Sequence, residues 1–138
     1  MKIKGTVITG TGEGKHYLSK KEYKRQCENK LGFVPFPGTF NIKIDIEDKK
    51  KFLKLKKQGG IFLHGFKKNS KVFGSVKCFR AVLMGKHVVI AIPEKSSYND
   101  VMEIISDKNL RNELNLKDGD YVEVEVLTHA RNKKIKEI

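Results

Sequence analysis

Long apolar runs are missing from this sequence. None approaches the roughly 20 residues a helix needs to cross a bilayer. The opening residues Met1-Lys2-Ile3-Lys4-Gly5 hold no apolar core of a secretory leader. The expectation is a soluble, cytoplasmic chain with no membrane partner. Cysteine is scarce: Cys27 and Cys78 form no C-x-x-C pair, and no histidine sits at ligand spacing from either. A metal–thiolate site is therefore not expected, and both read as small buried hydrophobes in a reducing compartment. His16, His64, His87 and His129 are scattered, and no Ser-His-Asp or Cys-His arrangement points to nucleophilic catalysis. Acidic residues are few. Sixteen Asp plus Glu against 29 Lys plus Arg leave a net charge of +13. Such a surface attracts phosphate, whether in nucleic acid, nucleotide or anionic lipid, and charge alone does not choose among them. Lysine richness also accompanies hot or AT-rich genomes, so part of the excess is background.

What is present fits one domain, expected over residues 1–128, with a polar tail over 129–138. At 138 residues the chain can bury a core without disulfides or a structural metal. Residues 3–9 alternate and are β-branched, with Ile3, Gly5, Val7 and Thr9 on one face. Ser19 and Glu22 have the spacing of a capping box, and Tyr23, Cys27 and Leu31 line one face of the helix it opens. Gly32 is placed to stop that helix. Residues 39–46 alternate again, with Phe40, Ile42, Ile44 and Ile46 apolar. A lysine-rich helical stretch over 48–58 ends at Gly59-Gly60. Strands are expected over 61–66, 72–84 and 87–92, the last two joined at Gly85-Lys86 as a hairpin that Pro93 ends. Asp100 is read as the cap of a short helix through Ile105, and Leu110 to Leu116 as a further turn or two. Leu116-Lys117-Asp118-Gly119-Asp120 is a turn signal before the alternating Val122, Val124 and Val126. About six strands with irregularly placed helices argue against a doubly wound parallel sheet. They favour a mainly-β, mostly antiparallel small barrel with short helical insertions.

Three segments carry candidate chemistry. Gly10, Thr11, Gly12, Glu13, Gly14 and Lys15 place three glycines at alternate positions, so bare backbone N–H groups can converge on one anion. A helix behind the loop and the charge of Lys15 would add to this. The same pattern also serves an ordinary strand–helix turn. It is not a Walker A loop, because three residues separate Gly10 from Gly14 and His16 follows Lys15. Nor is it a good dinucleotide fingerprint, because the third glycine comes too soon. Pro37-Gly38-Thr39-Phe40-Asn41 fixes the entry to a strand and projects Thr39 and Asn41 from one face. Two neutral oxygens suit Mg²⁺, which keeps water and phosphate in its shell, although a plain surface Thr and Asn at a strand start are far commoner. Residues 96–111 hold Ser96, a carboxylate at Glu103 in an otherwise apolar helical turn, and the basic step Lys108-Asn109-Leu110-Arg111. Glu103 also reads as a solvated helix face, and Arg111 as the partner of Asp107 or Glu113. The cluster Lys49, Lys50, Lys51, Lys54, Lys56 and Lys57, interleaved with Phe52, Leu53 and Leu55, reads either as a nucleic-acid docking helix or as a solvated amphipathic turn.

Together these motifs resemble one family, the archaeal CTP-dependent riboflavin kinases. The resemblance is carried by Gly5-Thr6-Val7, Gly10 to Gly14, Tyr17, Leu31-Gly32-Phe33, Pro37 to Asn41, Pro93 with Tyr98, Glu103-Ile104-Ile105, Leu110-Arg111 and Leu116 to Asp120. It implies a six-stranded cradle-loop barrel that moves the γ-phosphoryl of CTP to the 5′-hydroxyl of riboflavin, giving FMN and CDP. It further implies that Gly10 to Lys15 and Lys108 to Arg111 hold the nucleotide, that Thr39 and Asn41 bind Mg²⁺, and that Ser96 and Glu103 contact the flavin. Glu103 is also the candidate to orient or deprotonate the acceptor hydroxyl. The expected state is a monomer that needs no nucleic acid. The competing expectation is a small basic barrel that binds nucleic acid or regulates transcription. Two departures stand out: Ser96 where the family usually has Thr, and Asp107 where proline is common. Many members also carry an N-terminal winged-helix domain, whereas this chain is expected to begin at the barrel.

Overall fold

The computed structural model describes residues 1–10, 17–94, 96 and 99–127. Thr11 to Lys15, and Tyr98, lie outside them. In chain order the elements are β1 (Lys2–Ile8), helix α1 (Lys21–Leu31), β2 (Phe40–Ile44), a 3₁₀ turn (Ile46–Asp48) running into α2 (Lys49–Lys56), β3 (Ile61–Leu63), β4 (Phe66–Lys68), β5 (Lys71–Phe73), β6 (Val76–Leu83), β7 (Lys86–Pro93), β8 (Val101–Ile105), α3 (Leu110–Glu113) and β9 (Tyr121–Val126). Six strands pair antiparallel in the cyclic order β6-β7-β8-β2-β1-β9. The circle closes where Ala81, Val82 and Leu83 of β6 face Val126, Glu125 and Val124 of β9. The expected six-stranded barrel is therefore present. β3 extends it from the far side of β6, while β4 and β5 form a separate two-stranded ribbon.

The period of two builds the interior. Ile3 and Val7 of β1, Ile42 and Ile44 of β2, Ile90 of β7, Met102 and Ile104 of β8, and Val124 of β9 all point inward and are buried. The outer face of β6, β7 and β8 is covered too. Tyr23, Cys27 and Leu31 of α1 pack with Leu18 on Val76, Cys78, Val89, Ala91 and Ile105. β7 is thus buried on both sides, which is why Val88-Val89-Ile90-Ala91 is an unbroken apolar run rather than an alternating one. Both cysteines are free and buried, and burial raises both thiols, Cys27 to about 11 and Cys78 to about 12. The β6–β7 turn has positive φ at Met84 (49°) and Gly85 (79°), the primed geometry that matches strand twist in a two-residue hairpin. Gly32 closes α1, its N–H donating to the Cys27 and Glu28 carbonyls. No helix among the described residues is long and apolar enough to cross a membrane.

Four expectations change. Asp100 does not cap a helix: residues 101–105 are strand β8, held between β7 and β2. The apolar spacing of Val101, Ile104 and Ile105 resembled a helix face only because β8 buries side chains on both sides, Met102 and Ile104 inward and Ile105 under α1. Residues 61–66 divide between β3 and β4, and residues 72–84 between β5 and β6, because the chain leaves the barrel wall to make the ribbon. The N-cap of α1 is Lys20 rather than Ser19. Ile46 is 79% exposed, because the chain turns into the 3₁₀ helix after β2 instead of continuing the alternation.

The lysine-rich helix is a packed element. Phe52 and Leu55 of α2 enter the barrel core, leaving the lysines on the outside. Asp48, its N-cap residue, aims its carboxylate across at β1, accepting from the Lys4 N–H at 2.8 Å, with Lys51 Nζ at 3.3 Å. The Lys4 N–H, aided by Lys51, holds the Asp48 carboxyl below its usual range. A group with a depressed native pKa stabilises fully above its unfolded value of about 4 and loses that contribution as pH falls through the native value. Asp48→Ala should therefore cost about 1–2 kcal/mol near neutral pH by leaving the Lys4 N–H unpaired. The gap between the denaturation midpoints of the two proteins should narrow below about pH 4. A gap that widens in acid would reject this role for Asp48.

Candidate active site

Strand register assembles the site. In the β1–β2 ladder Ile8 lies opposite Asn41, and in the β2–β8 ladder Asn41 lies opposite Glu103. Glu103 in turn faces Ala91 on β7. Directly opposed antiparallel residues carry their side chains on one face, with Cβ atoms about 5 Å apart. The amide of Asn41 and the carboxylate of Glu103 are therefore neighbours on the outside of the barrel, although 62 positions apart in sequence. Thr39 adds a third group: its Oγ1 donates to Asn41 Oδ1 at 3.1 Å, so the two expected metal oxygens stand side by side. Gly10 lies directly against them. A methyl group at Gly10 would overlap Asn41 Nδ2, so a side chain there would force the Asn41 amide to move. Among the described residues no three His, Cys, Asp or Glu side chains converge as a metal cage. Neutral oxygens completed by phosphate suit a small hard cation, and Thr39 with Asn41 fits that description.

A cleft of about 140 Å³ runs from this point between Phe36–Phe40 and Ile104–Arg111. It brings Thr39 together with Lys108, Asn109, Leu110 and Arg111, segments some 70 residues apart. Its walls are tied by the Phe36 N–H donating to the Ser106 carbonyl at 2.8 Å. Asn109 caps α3, its Oδ1 accepting from the Arg111 and Asn112 N–H groups at 3.1 and 3.3 Å. Its side chain is thus committed to the helix, which leaves Lys108 and Arg111 as the cationic edge of the cleft. Arg111 Nη2 donates to the Ile8 carbonyl at 3.2 Å and to Asp118 Oδ1 at 2.6 Å. The partner of Arg111 is therefore Asp118, not Asp107 or Glu113. Asp107 is paired with Lys86 at 3.2 Å. Burial pushes its carboxyl up, but Lys86, Ser106 and Lys108 together outweigh that and hold it below its usual range.

A larger cleft of about 390 Å³ is lined in part by Tyr17, on which the charge of Glu103 acts. Tyr17, Tyr23, Val72, Phe73, Pro93 and Glu94 line it. An aromatic chain runs through it: Tyr17 meets Tyr23 edge-on at 5.7 Å, Tyr23 meets Phe66 at 5.0 Å, and Phe66 stacks on Phe73 at 4.7 Å. Tyr23 Oη donates to the Gly74 carbonyl at 2.6 Å. The hydroxyl of Tyr17 is buried and finds no hydrogen-bond partner among the described residues. Its burial, reinforced by the charge of Glu103, raises its pKa well above the ordinary value. Ser96 follows at the end of β7, its N–H donating to the Pro93 carbonyl at 3.0 Å. Sequence reasoning gave Tyr17 no role, although the recurrence of aromatics at 17, 23, 66 and 73 was there to be read. Asp118 was likewise taken only as part of a turn.

The family model for the CTP-dependent riboflavin kinase domain, described as domain of unknown function DUF120, matches residues 7–126. A riboflavin kinase of Thermoplasma volcanium is 50% identical over 122 residues, covering 88% of this chain and 56% of the relative. One of Thermoplasma acidophilum is 47% identical over 126 residues, 91% of this chain and 57% of the relative. One of Archaeoglobus fulgidus is 43% identical over 128 residues, 92% and 55% respectively. The chain thus spans a little over half the length of these curated relatives. The packing of Gly10 on Asn41 gives a direct check on the role of that amide. Gly10→Ala should displace the Asn41 amide and weaken binding of a magnesium nucleotide on the order of 10-fold or more, read by titration calorimetry. An unchanged dissociation constant would separate Asn41 from nucleotide binding.

Proposed function

The chain belongs to the CTP-dependent riboflavin kinase family, and we propose that it transfers the γ-phosphoryl group of CTP to the 5′-hydroxyl of riboflavin, giving FMN and CDP. The observation that carries the proposal is the meeting of Asn41 and Glu103 in one row. Asn41 is bonded to Thr39, which lines the cleft edged by Lys108 and Arg111, and Glu103 is close enough to act on Tyr17, which lines the aromatic cleft. A nucleotide phosphate in the first cleft and an isoalloxazine ring in the second would bring donor and acceptor to that row.

Phosphoryl transfer needs positioning and charge neutralisation more than covalent chemistry from the protein. Gly10, Thr11, Gly12, Glu13, Gly14 and Lys15 are assigned to the nucleotide phosphates, with Lys108 to Arg111 closing the other side. Thr39 and Asn41 would hold Mg²⁺, which when bound neutralises charge on the phosphate oxygens. Ser96 and Glu103 are assigned to the flavin, and Tyr17 offers its unpaired hydroxyl to the polar edge of the ring. Glu103 accepts the proton of the 5′-hydroxyl as its oxygen bonds to the γ-phosphorus. The bond from that phosphorus to the bridging oxygen breaks, and the oxygen leaves with CDP. Ser96 keeps the hydroxyl that threonine supplies in the family, with a less restricted rotamer. The proposal takes a cytoplasmic monomer, consistent with a closed barrel whose one added strand, β3, is three residues long.

The test is incubation with riboflavin, Mg²⁺ and each nucleoside triphosphate in turn. FMN should form with CTP in preference to the others. No FMN with any nucleotide, together with salt-sensitive binding of DNA or RNA, would favour the nucleic-acid module that the +13 charge also permits. Glu103→Gln should lower kcat about 10²–10⁴-fold if the carboxylate takes the proton. Unchanged turnover and flavin affinity would remove it from the mechanism. Lys15→Ala should weaken CTP more than riboflavin, and the reverse order would exchange the two ligand assignments.

A further inference from the structure

The end of β1 is tied to α3 by side chains rather than by the sheet. The β1–β2 ladder ends at Ile8 opposite Asn41. Beyond it, Thr9 Oγ1 donates to Asp118 Oδ2 at 2.5 Å, while Arg111 Nη2 donates to Asp118 Oδ1 at 2.6 Å and to the Ile8 carbonyl at 3.2 Å. One carboxylate therefore joins the residue just before Gly10 to an arginine that lines the cleft. Asp118 stands on a turn that is itself fixed. The Gly119 N–H donates to the Val7 carbonyl at 2.9 Å, the Val7 N–H to the Asp120 carbonyl at 2.8 Å, and the Lys117 N–H to Asp120 Oδ2 at 2.9 Å. The Thr9 hydroxyl, and after it Arg111, hold the Asp118 carboxyl below its usual range. Both bonds from Arg111 use Nη2, so the rest of the guanidinium fork remains for a ligand in the cleft that Arg111 lines.

We propose that Asp118 is a positioning residue that ties the end of β1 at Thr9 to α3, so that Arg111 keeps a fixed place on the edge of the nucleotide cleft. The proposal rests on the nucleotide reading given above. It makes a prediction opposite in sign to simple electrostatics. A carboxylate beside a phosphate site repels the ligand, so if charge were its whole effect, removing it would tighten CTP. If Asp118 positions Thr9 and Arg111, removing it loosens CTP in spite of the charge gained.

The experiment measures dissociation constants for magnesium–CTP and for riboflavin on the full chain at one fixed salt concentration, together with FMN formation. Asp118→Ala should weaken CTP on the order of fivefold, with riboflavin affinity unchanged and turnover at saturating CTP little altered. Thr9→Val should weaken CTP in the same direction. The double variant should be no worse than Asp118→Ala alone, because both changes cut one link. CTP binding that is unchanged or tighter in Asp118→Ala, or losses that add in the double variant, would overturn the lock while leaving the kinase reading intact. Wild-type chain that binds no CTP would overturn both. If Asp118→Ala does not fold, Thr9→Val decides alone: unweakened CTP binding rejects the lock.

Discussion

Closure of the barrel between β6 and β9 is the constraint from which the rest follows. Once Leu83 faces Val124, the register of every other strand is set around the circle, because a one-residue slip would turn each buried face outward. With Ile42, Met102, Ile104 and Ile90 committed to the interior, Asn41 and Glu103 are forced onto the outer face of β2 and β8 in one row. The proposed site row is thus a by-product of core packing. Neither side chain needs a loop to carry it, and strands hold such groups more firmly than loops do.

α1 shapes what remains of that outer face. Its Tyr23, Cys27 and Leu31 cover β6, β7 and the end of β8. The β4–β5 ribbon then supplies Phe66 and Phe73 at the rim, with Lys20 and Lys71 placed over the Phe73 ring at 5.3 and 5.4 Å. The same helix that completes the hydrophobic layer therefore bounds the aromatic cleft. Fold stability and the space of that cleft are two results of one packing decision.

Much of this was legible in the residues, and the failures share a cause. Strands with one wet face, such as Tyr121–Val126, alternate cleanly and were read without difficulty. β8 was misread because both its faces are buried, and a doubly covered strand has lost the alternation that distinguishes it from a helix. The site residues Thr39, Asn41 and Glu103 were individually visible, but their meeting depends on long-range register, which no local pattern encodes. Asp118 was hidden for another reason. Turn propensity explains Asp-Gly so completely that a second role for the carboxylate leaves no mark in sequence.

The excess of positive charge is a poor guide to where phosphate binds. At physiological salt, charges separated by more than about 8 Å are largely screened, so lysines on α2 contribute to attraction and little to holding a ligand. Several lysines around the fold are also engaged locally: Lys51 with Asp48, Lys86 with Asp107 and Glu113, and Lys77 with the Lys56 and Gln58 carbonyls. Arg111 spends part of its charge on Asp118 in the same way. A cleft that gives up half of a cation to fix its own geometry has favoured placement over bulk attraction. That choice suits phosphoryl transfer, in which a misplaced donor costs more rate than a stronger field returns.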